Sequence, residues 1–175
     1  MNSDDKMTED IKKLIAYLKY LNIPIDVNNS KDRFKLQKIA FLIKSMGIRL
    51  KYEFDLYLYG VYSQELYIES FESKNDFIEL KSDYQINEDE RIILEKLKEN
   101  LTEDNRILEA TTTIIYKDLV YEDIDKVINE IKEIKPHLSE DEILEGINLA
   151  KRLLFKEEYL TDEIKKELEL WDNID

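Results

Sequence analysis

The sequence of 175 residues contains no cysteine and only one histidine, His137. The absence of cysteine excludes disulfides, thiolate metal ligands and cysteine nucleophiles. One imidazole is too few for a histidine-based zinc or iron site, and no glycine-rich phosphate loop is present. Acidic residues are so numerous that no pair stands out as a general acid and base. We therefore expect no cofactor, no metal and no enzymatic activity, with His137 a loop residue between Pro136 and the helix cap Ser139.

Glycine and proline are also rare, with three and two residues respectively, which predicts short loops and mostly helical structure. No uninterrupted apolar run is long enough to span a bilayer. Residues 1–6 lack a basic region leading into an apolar core, so no signal peptide is predicted. We expect a soluble, cytoplasmic protein that does not bind membranes.

Acidic residues outnumber basic ones, but positive charge is concentrated in one segment. The formal net charge is −14, which opposes non-specific binding to nucleic acid or to an anionic membrane. Segment 31–51 nevertheless has a net charge of +6, from one acid, Asp32, and seven basic residues: Lys31, Arg33, Lys35, Lys38, Lys44, Arg49 and Lys51. Such a segment is either an anion-binding face or a surface that packs beside acidic neighbours of the same chain. We favour the second interpretation.

Segment 30–71 is expected to form the centre of the fold. Ser30 is a good N-cap for a helix that ends at Gly47. Apolar residues cover most sides of this helix, which is typical of the interior of a bundle. Residues 48–58 alternate between apolar and charged, which predicts a half-buried strand. A turn at Tyr59–Ser63 then leads into another helix, capped by Ser63.

Helical periodicity and capping patterns mark most of the other elements. The remaining predictions are a helix from Thr8 to Pro24, a short hairpin or wing over 77–86, and helices after Asn87, over 107–119 and 124–134, after Ser139, and after Thr161 (with Ile164, Leu168 and Trp171). The predicted fold is mainly α with minor β: a bundle of seven to eight helices with a short strand after the second helix and a small β-hairpin. We expect a single domain, 1–175, with a possible subdivision into 1–86 and 87–175.

Three pieces of the central segment resemble a known pattern. They are Lys35–Lys38 (Lys-Leu-Gln-Lys), Tyr59–Ser63 (Tyr-Gly-Val-Tyr-Ser) and Leu66. Their order and spacing are similar to the core of the Panacea, or SocA-like antitoxin, domain family, nearest to its YwgA-like members. Segments 108–111 and 135–143 also resemble that family, so the resemblance covers most of the chain. One departure is Val61, where the family usually has proline.

The resemblance implies a non-enzymatic protein-binding module. Panacea domains are associated with toxin neutralisation by protein contact, and the SocA type is a proteolytic adaptor that delivers its toxin partner for degradation. The expected role is therefore an antitoxin-like or adaptor-like regulator, with a toxin or a client of a protease system as partner. Candidate partner-binding residues surround the predicted turn: Tyr57, Tyr59, Gly60, Tyr62 and Tyr67. Tyrosine clusters favour interfaces, but half-buried packing is the more frequent role of such amphipathic side chains.

The motif residues Leu36, Gln37, Lys38, Ser63 and Leu66 are interpreted as structural. Leu36 and Leu66 are expected in the core. Gln37 and Lys38 occupy adjacent helical positions. A buried Gln37 would need hydrogen-bond partners for its amide, for which the backbone of the Gly60 turn is the candidate.

The alternative function is a winged-helix DNA-binding regulator. Helix 31–46 would then enter the groove and the hairpin 77–86 would be the wing. Its candidate nucleic-acid-binding residues are Lys31, Arg33, Lys35, Lys38, Lys44, Arg49 and Lys51. The total charge and the large apolar share of the same helix argue against this function, so we prefer protein binding.

Overall fold

The computed structural model describes residues 7–155 together with residues 166, 167, 169 and 170. This part of the chain is mainly helical, with eight α-helices and one two-stranded antiparallel sheet, which confirms the predicted fold class. None of its helices has the length and apolar composition to cross a membrane. The predicted last helix with Thr161, Ile164, Leu168 and Trp171 lies outside the described residues. The elements are α1 (Glu9–Leu21), α2 (Ser30–Ser45), β1 (Asp55–Tyr57), β2 (Gly60–Tyr62), α3 (Gln64–Glu72), α4 (Lys74–Glu79), α5 (Glu88–Asn100), α6 (Asn105–Tyr116), α7 (Ile124–Ile134) and α8 (Glu140–Leu154).

The chain divides into two compact units, Met1–Glu99 and Asn100–Asp175. The boundary falls after most of α5, later than the subdivision at residue 86 considered from sequence. Contacts of α5 with the first unit explain the difference. The Tyr17 hydroxyl of α1 donates a hydrogen bond to Glu90 at 2.8 Å, and the Tyr20 hydroxyl donates to Glu95.

Helix α2 is the interior helix of the first unit, as predicted. Eight consecutive residues, Leu36–Ile43, are buried, and Ile39 and Ile43 have no exposed surface. The helix begins one residue earlier than predicted, at Ser30, because the Asn29 side chain, not that of Ser30, accepts hydrogen bonds from the first backbone N–H groups. It ends in a Schellman motif at Gly47, whose φ of 113° suits a residue without Cβ.

The segment after α2 is extended, but only its end is a strand. Burial alternates along 48–55 as the sequence predicts. Strand pairing is confined to β1 and β2, with Asp55 opposite Tyr62, Leu56 opposite Val61 and Tyr57 opposite Gly60. A ladder needs a partner strand, and β2 is short because the next residue, Ser63, already caps α3. Alternation therefore predicted which side chains are buried, not how many residues pair.

The predicted wing at 77–86 is wrong. Residues Lys74–Glu79 form the short helix α4, and 81–87 have no regular structure. The apolar residues near Phe77 are too few to distinguish helical from strand periodicity. The Phe77 side chain is fully buried, and its N–H donates to Ser73 O at 3.2 Å. Tertiary burial of one ring within a helical turn decides the local structure here.

In the second unit α6, α7 and α8 share one apolar core. Three β-prone threonines lie within α6, and each hydroxyl donates to the carbonyl four residues before it: Thr111 to Ile107, Thr112 to Leu108 and Thr113 to Glu109. All three threonines are fully buried. Because these bonds satisfy the hydroxyls inside the helix, burial outweighs the preference of threonine for strands.

Helices α6 and α8 lie in close contact at Gly146. A Cβ added there would lie 2.7 Å from the Ala110 Cβ and 3.0 Å from the Thr111 backbone nitrogen. We expect Gly146→Ala to lower the free energy of unfolding by about 2 kcal/mol through overpacking. In an open helix the same change would stabilise by about 0.5–1 kcal/mol. Urea denaturation shows whether the free energy of unfolding falls or rises.

Glu145→Ala is the matched control, because Glu145 precedes Gly146 on α8 and is exposed. This variant should change the unfolding free energy by less than about 0.5 kcal/mol. A Gly146→Ala protein more stable than the wild type would mean that α6 and α8 are not this close in solution.

Candidate functional site

The candidate site is built on the hairpin formed by β1 and β2. The loop consists of Leu58 and Tyr59, so the chain reverses earlier than the predicted turn at Tyr59–Ser63. Gly60 begins β2 with a φ of 111°, a conformation that glycine adopts at little cost. The hairpin presents three large side chains to solvent: Tyr57 is 56% exposed, Leu58 72% and Tyr59 65%.

Gln37 anchors the end of the hairpin to α2. Its Nε2 donates to Ser63 O at 3.0 Å, and its Oε1 accepts from Ser63 N at 2.8 Å. Both residues are buried, with 3% and 1% of their surface exposed. The side-chain amide therefore satisfies two backbone groups just beyond the hairpin, which confirms the partner region predicted for Gln37. Ser63 in turn caps α3, because its Oγ accepts from Leu66 N at 3.3 Å.

The motif residues are structural, as interpreted. Leu36 and Leu66 are buried in the core. Lys38 is 5% exposed, and its ammonium lies 6.0 Å from the centre of the Phe34 ring. These residues support the site from below, and of them only Leu36 and Gln37 also line one of its depressions.

Six rings from α2, the hairpin and α3 form what we term the aromatic surface: Phe34, Tyr57, Tyr59, Tyr62, Tyr67 and Phe71. Phe34 and Tyr59 stack with ring centres 5.3 Å apart and an interplanar angle of 23°. The other four rings follow one another at centre distances of 5.0–5.9 Å. Tyr57 and Tyr59 are exposed and Tyr62 and Tyr67 half-buried, so the structure brings all the predicted tyrosines together at Gly60.

Two adjacent depressions open in the aromatic surface. The hairpin groove has a volume of about 260 Å³ and is lined by Phe34, Tyr57, Tyr59, Gly60, Val61, Tyr62 and Gln64. The arginine depression has a volume of about 130 Å³ and is lined by Arg33, Phe34, Leu36, Gln37, Tyr62, Tyr67 and Ser70. Phe34 and Tyr62 belong to both, so a single elongated ligand segment can reach both depressions.

The electrostatics of the site keep its central phenol neutral. Burial raises the pKa of Tyr62, and the neighbouring Tyr67 and Tyr57 add to the rise, whereas Arg33 acts in the opposite direction. A phenol is already protonated at neutral pH and the raised pKa keeps it so, which leaves Tyr62 as an O–H donor next to a guanidinium.

Most of the basic residues predicted as a nucleic-acid-binding set are engaged within the first unit. Lys44 Nζ donates to Tyr52 O at 2.6 Å and lies 3.4 Å from Glu53. Lys51 Nζ bridges Glu65 at 3.0 Å and Glu69. These contacts match the favoured interpretation, in which the basic segment packs beside acidic neighbours.

Three other basic residues remain accessible but do not form one face. Lys31 and Arg49 are exposed and Lys35 is half-buried. Lys31 and Lys35 belong to the first half of α2, whereas Arg49 lies beyond its C-terminal end. Between them α2 is buried, and the hairpin predicted as a wing is a helix. The alternative of a winged helix thus lacks two of the elements on which it depended.

Sequence reasoning missed Arg33, Phe34 and Phe71 as parts of the site. Phe34 is half-buried and lines both depressions. The available signal was its position one helical turn before Gln37, the residue expected to face the Gly60 turn. Phe71 lies one helical turn after Tyr67 in α3, and its ring is 5.8 Å from the Arg33 guanidinium.

A charged cluster in the second unit was also missed. His137 lies between α7 and α8, as predicted, but its Nε2 is 3.1 Å from both carboxylate oxygens of Glu109. Lys135 Nζ lies 3.1 Å from the same carboxylate. The Lys135 side chain is 2% exposed, that of Glu109 11% and that of His137 42%. This cluster joins α6 to the end of α7.

Comparison with known proteins does not assign the chain to a family. The resemblance to the Panacea domain therefore stays a prediction from the motifs. No family model, curated protein or solved structure matches this chain.

Proposed function

We propose that the protein is a non-enzymatic binding module that contacts a partner protein through the aromatic surface. The observation that carries the proposal is the hairpin: two tyrosines and a leucine are more than half exposed on a backbone held by Gln37. Exposed aromatic side chains on a rigid support are the usual anchors of protein interfaces, because they bury a large area at a low cost in conformational entropy.

The shape of the site also supports a protein ligand. The hairpin groove of about 260 Å³ is smaller than the pockets of about 300–1,000 Å³ that enclose cofactors and drug-sized molecules. It is large enough for one apolar side chain of a partner. The surrounding rings would then form the contact area around that anchor.

Within this function, the specific role that we propose is that of an antitoxin-like or adaptor-like regulator. This part of the proposal comes from the motif resemblance in α2, the hairpin and α3, and the expected partner is a toxin or a client of a protease system. The residues that carry the resemblance, Gln37 and Ser63 among them, are those that hold the aromatic surface in place.

The test is affinity capture with the full chain as bait in a lysate of the organism that encodes it. The double variant Tyr57→Ser/Tyr59→Ser removes the two most exposed rings of the site. For a partner recovered with the wild type, this variant should weaken binding about 30-fold or more, because loss of one hot-spot tyrosine costs about 2 kcal/mol.

Tyr121→Ser is the matched control. Tyr121 is 76% exposed and belongs to the second unit, so its loss should leave the affinity unchanged. A partner that binds the double variant as tightly as the wild type would contradict the proposed surface. Recovery of no stoichiometric partner would contradict the proposed function itself.

A further inference from the structure

The aromatic surface has a charge preference that the composition of the chain does not suggest. Aspartate and glutamate make up 40 of the 175 residues. Among the described residues, none that lines the hairpin groove or the arginine depression is acidic. The one charged side chain that lines either depression is that of Arg33.

Arg33 is held in place for contact with a ligand. Its Nη1 donates to Val27 O at 2.8 Å, and its guanidinium lies against the Phe71 ring at 5.8 Å. An arginine has five N–H donors in a planar fork. The contacts in the described part of the chain use one of them, which leaves donors for an acceptor in the depression.

The other polar groups of the arginine depression match the guanidinium. The phenol groups of Tyr62 and Tyr67 line it together with Arg33, and both are O–H donors when protonated. A guanidinium with neighbouring phenols is suited to a carboxylate, which accepts several hydrogen bonds and pairs with arginine in a bidentate geometry. The adjoining hairpin groove is lined mainly by rings and suits an apolar side chain.

We infer that the partner segment presents an apolar side chain to the hairpin groove and an adjacent Asp or Glu side chain to Arg33. The inference rests on the proposed function, since it states the chemistry of the partner at the same surface. An acidic side chain is preferred to a chain terminus, because capture of a terminal carboxylate usually relies on a nest of backbone N–H groups. Here the donors are side chains.

Peptide titration of the isotope-labelled full chain, followed by NMR, tests this preference directly. The first probe is a tetrapeptide blocked at both ends that contains phenylalanine followed by glutamate. The second has glutamine in place of glutamate. The third lacks the acidic side chain and ends in phenylalanine with a free carboxylate. We expect the first probe to bind about tenfold tighter than the others, since charge-assisted hydrogen bonds are the stronger ones.

Two variants test whether Arg33 is the source of the preference for glutamate over glutamine. In Arg33→Met the glutamate and glutamine peptides should bind equally. In Lys31→Met the tenfold ratio should persist, because Lys31 is a neighbouring cation on α2 that lines neither depression. Loss of the ratio in both variants would indicate a general charge effect and overturn the role of Arg33.

Other outcomes also overturn the inference. Equal binding of the glutamate and glutamine peptides to the wild type would do so without any variant, as would absence of localised shift changes at millimolar peptide. Tightest binding of the third probe would indicate a chain terminus as the ligand. The titration does not use the captured partner, so its failure is separate from failure of the Tyr57 and Tyr59 experiment.

Discussion

Replacing Glu109 with leucine is expected to lower the free energy of unfolding by about 3–5 kcal/mol. Glu109 faces the Lys135 ammonium, and the lysine side chain is 2% exposed. Without the carboxylate, the buried ammonium loses the negative charge at 3.1 Å that offsets part of its desolvation. Glu109→Gln keeps the shape and one acceptor but not the charge, and we expect a smaller loss in the same direction. Urea denaturation followed by circular dichroism measures both.

Replacing Lys135 instead of Glu109 should lower the free energy of unfolding by a smaller amount. In Lys135→Met the carboxylate keeps its contact with His137, whose Nε2 lies 3.1 Å from both oxygens and whose side chain is 42% exposed. A half-exposed imidazole can turn to solvent, whereas the Lys135 side chain is 2% exposed. We therefore expect Glu109→Leu to destabilise more than Lys135→Met.

The double variant Glu109→Leu/Lys135→Met is the control for the charge argument. Removing both charges should recover most of the stability lost in Glu109→Leu, because apolar pairs often replace buried ion pairs at little cost. If Glu109→Leu alone changes the unfolding free energy by less than about 1 kcal/mol, the ion pair is not formed in solution.

Replacing Gln37 with methionine is expected to cost about 3 kcal/mol of unfolding free energy. The substitution leaves the buried Ser63 N–H without an acceptor, which costs about 1–3 kcal/mol. It also removes one of two hydrogen bonds to Ser63 O, at a cost of about 1 kcal/mol, while the bond from Tyr67 N at 3.1 Å remains. Gln37→Glu should cost more, because a carboxylate oxygen would face the Ser63 carbonyl where an N–H donor is needed. Denaturation gives the free energy, and amide hydrogen exchange at Ser63 reports the local effect.

Gln64→Met is the matched control, because it tests whether any glutamine-to-methionine change near Ser63 lowers the free energy of unfolding. Gln64 has the same side chain, follows Ser63 directly and is exposed, so its replacement should change the stability by less than about 0.5 kcal/mol. Equal protection of the Ser63 amide in wild type and Gln37→Met would show that the hairpin is not held through Gln37. Because the hairpin carries Tyr57 and Tyr59, Gln37→Met should also weaken partner binding.

Sequence reasoning succeeded for Gln37 and for several helix caps. The need of a buried glutamine for amide partners pointed from Gln37 to the Gly60 region, since a polar group that is buried must be satisfied. Capping patterns placed helix starts equally well: Asn87 and Glu90 exchange hydrogen bonds at the start of α5, as Ser139 and Glu142 do at α8. In each case the decisive partners are a few residues apart or belong to a single expected turn.

The predictions that failed depend instead on contacts between residues that are far apart in the sequence. Whether 77–86 forms a strand pair or a helical turn depends on what buries Phe77, and the length of β1 depends on how soon α3 begins. The meeting of Glu109 with Lys135 and His137, or of Arg33 with Phe71, joins residues that no local pattern relates.

The sequence by itself determined the helical class, the interior position of α2 and the caps at which several helices begin, because periodicity and short-range hydrogen bonding act within a few residues. Only the tertiary structure decided that six rings form one surface, that Arg33 lines one of its two depressions, and that Glu109 pairs with a buried lysine. Those arrangements depend on packing between distant segments, where burial outweighs the local preferences that a sequence displays.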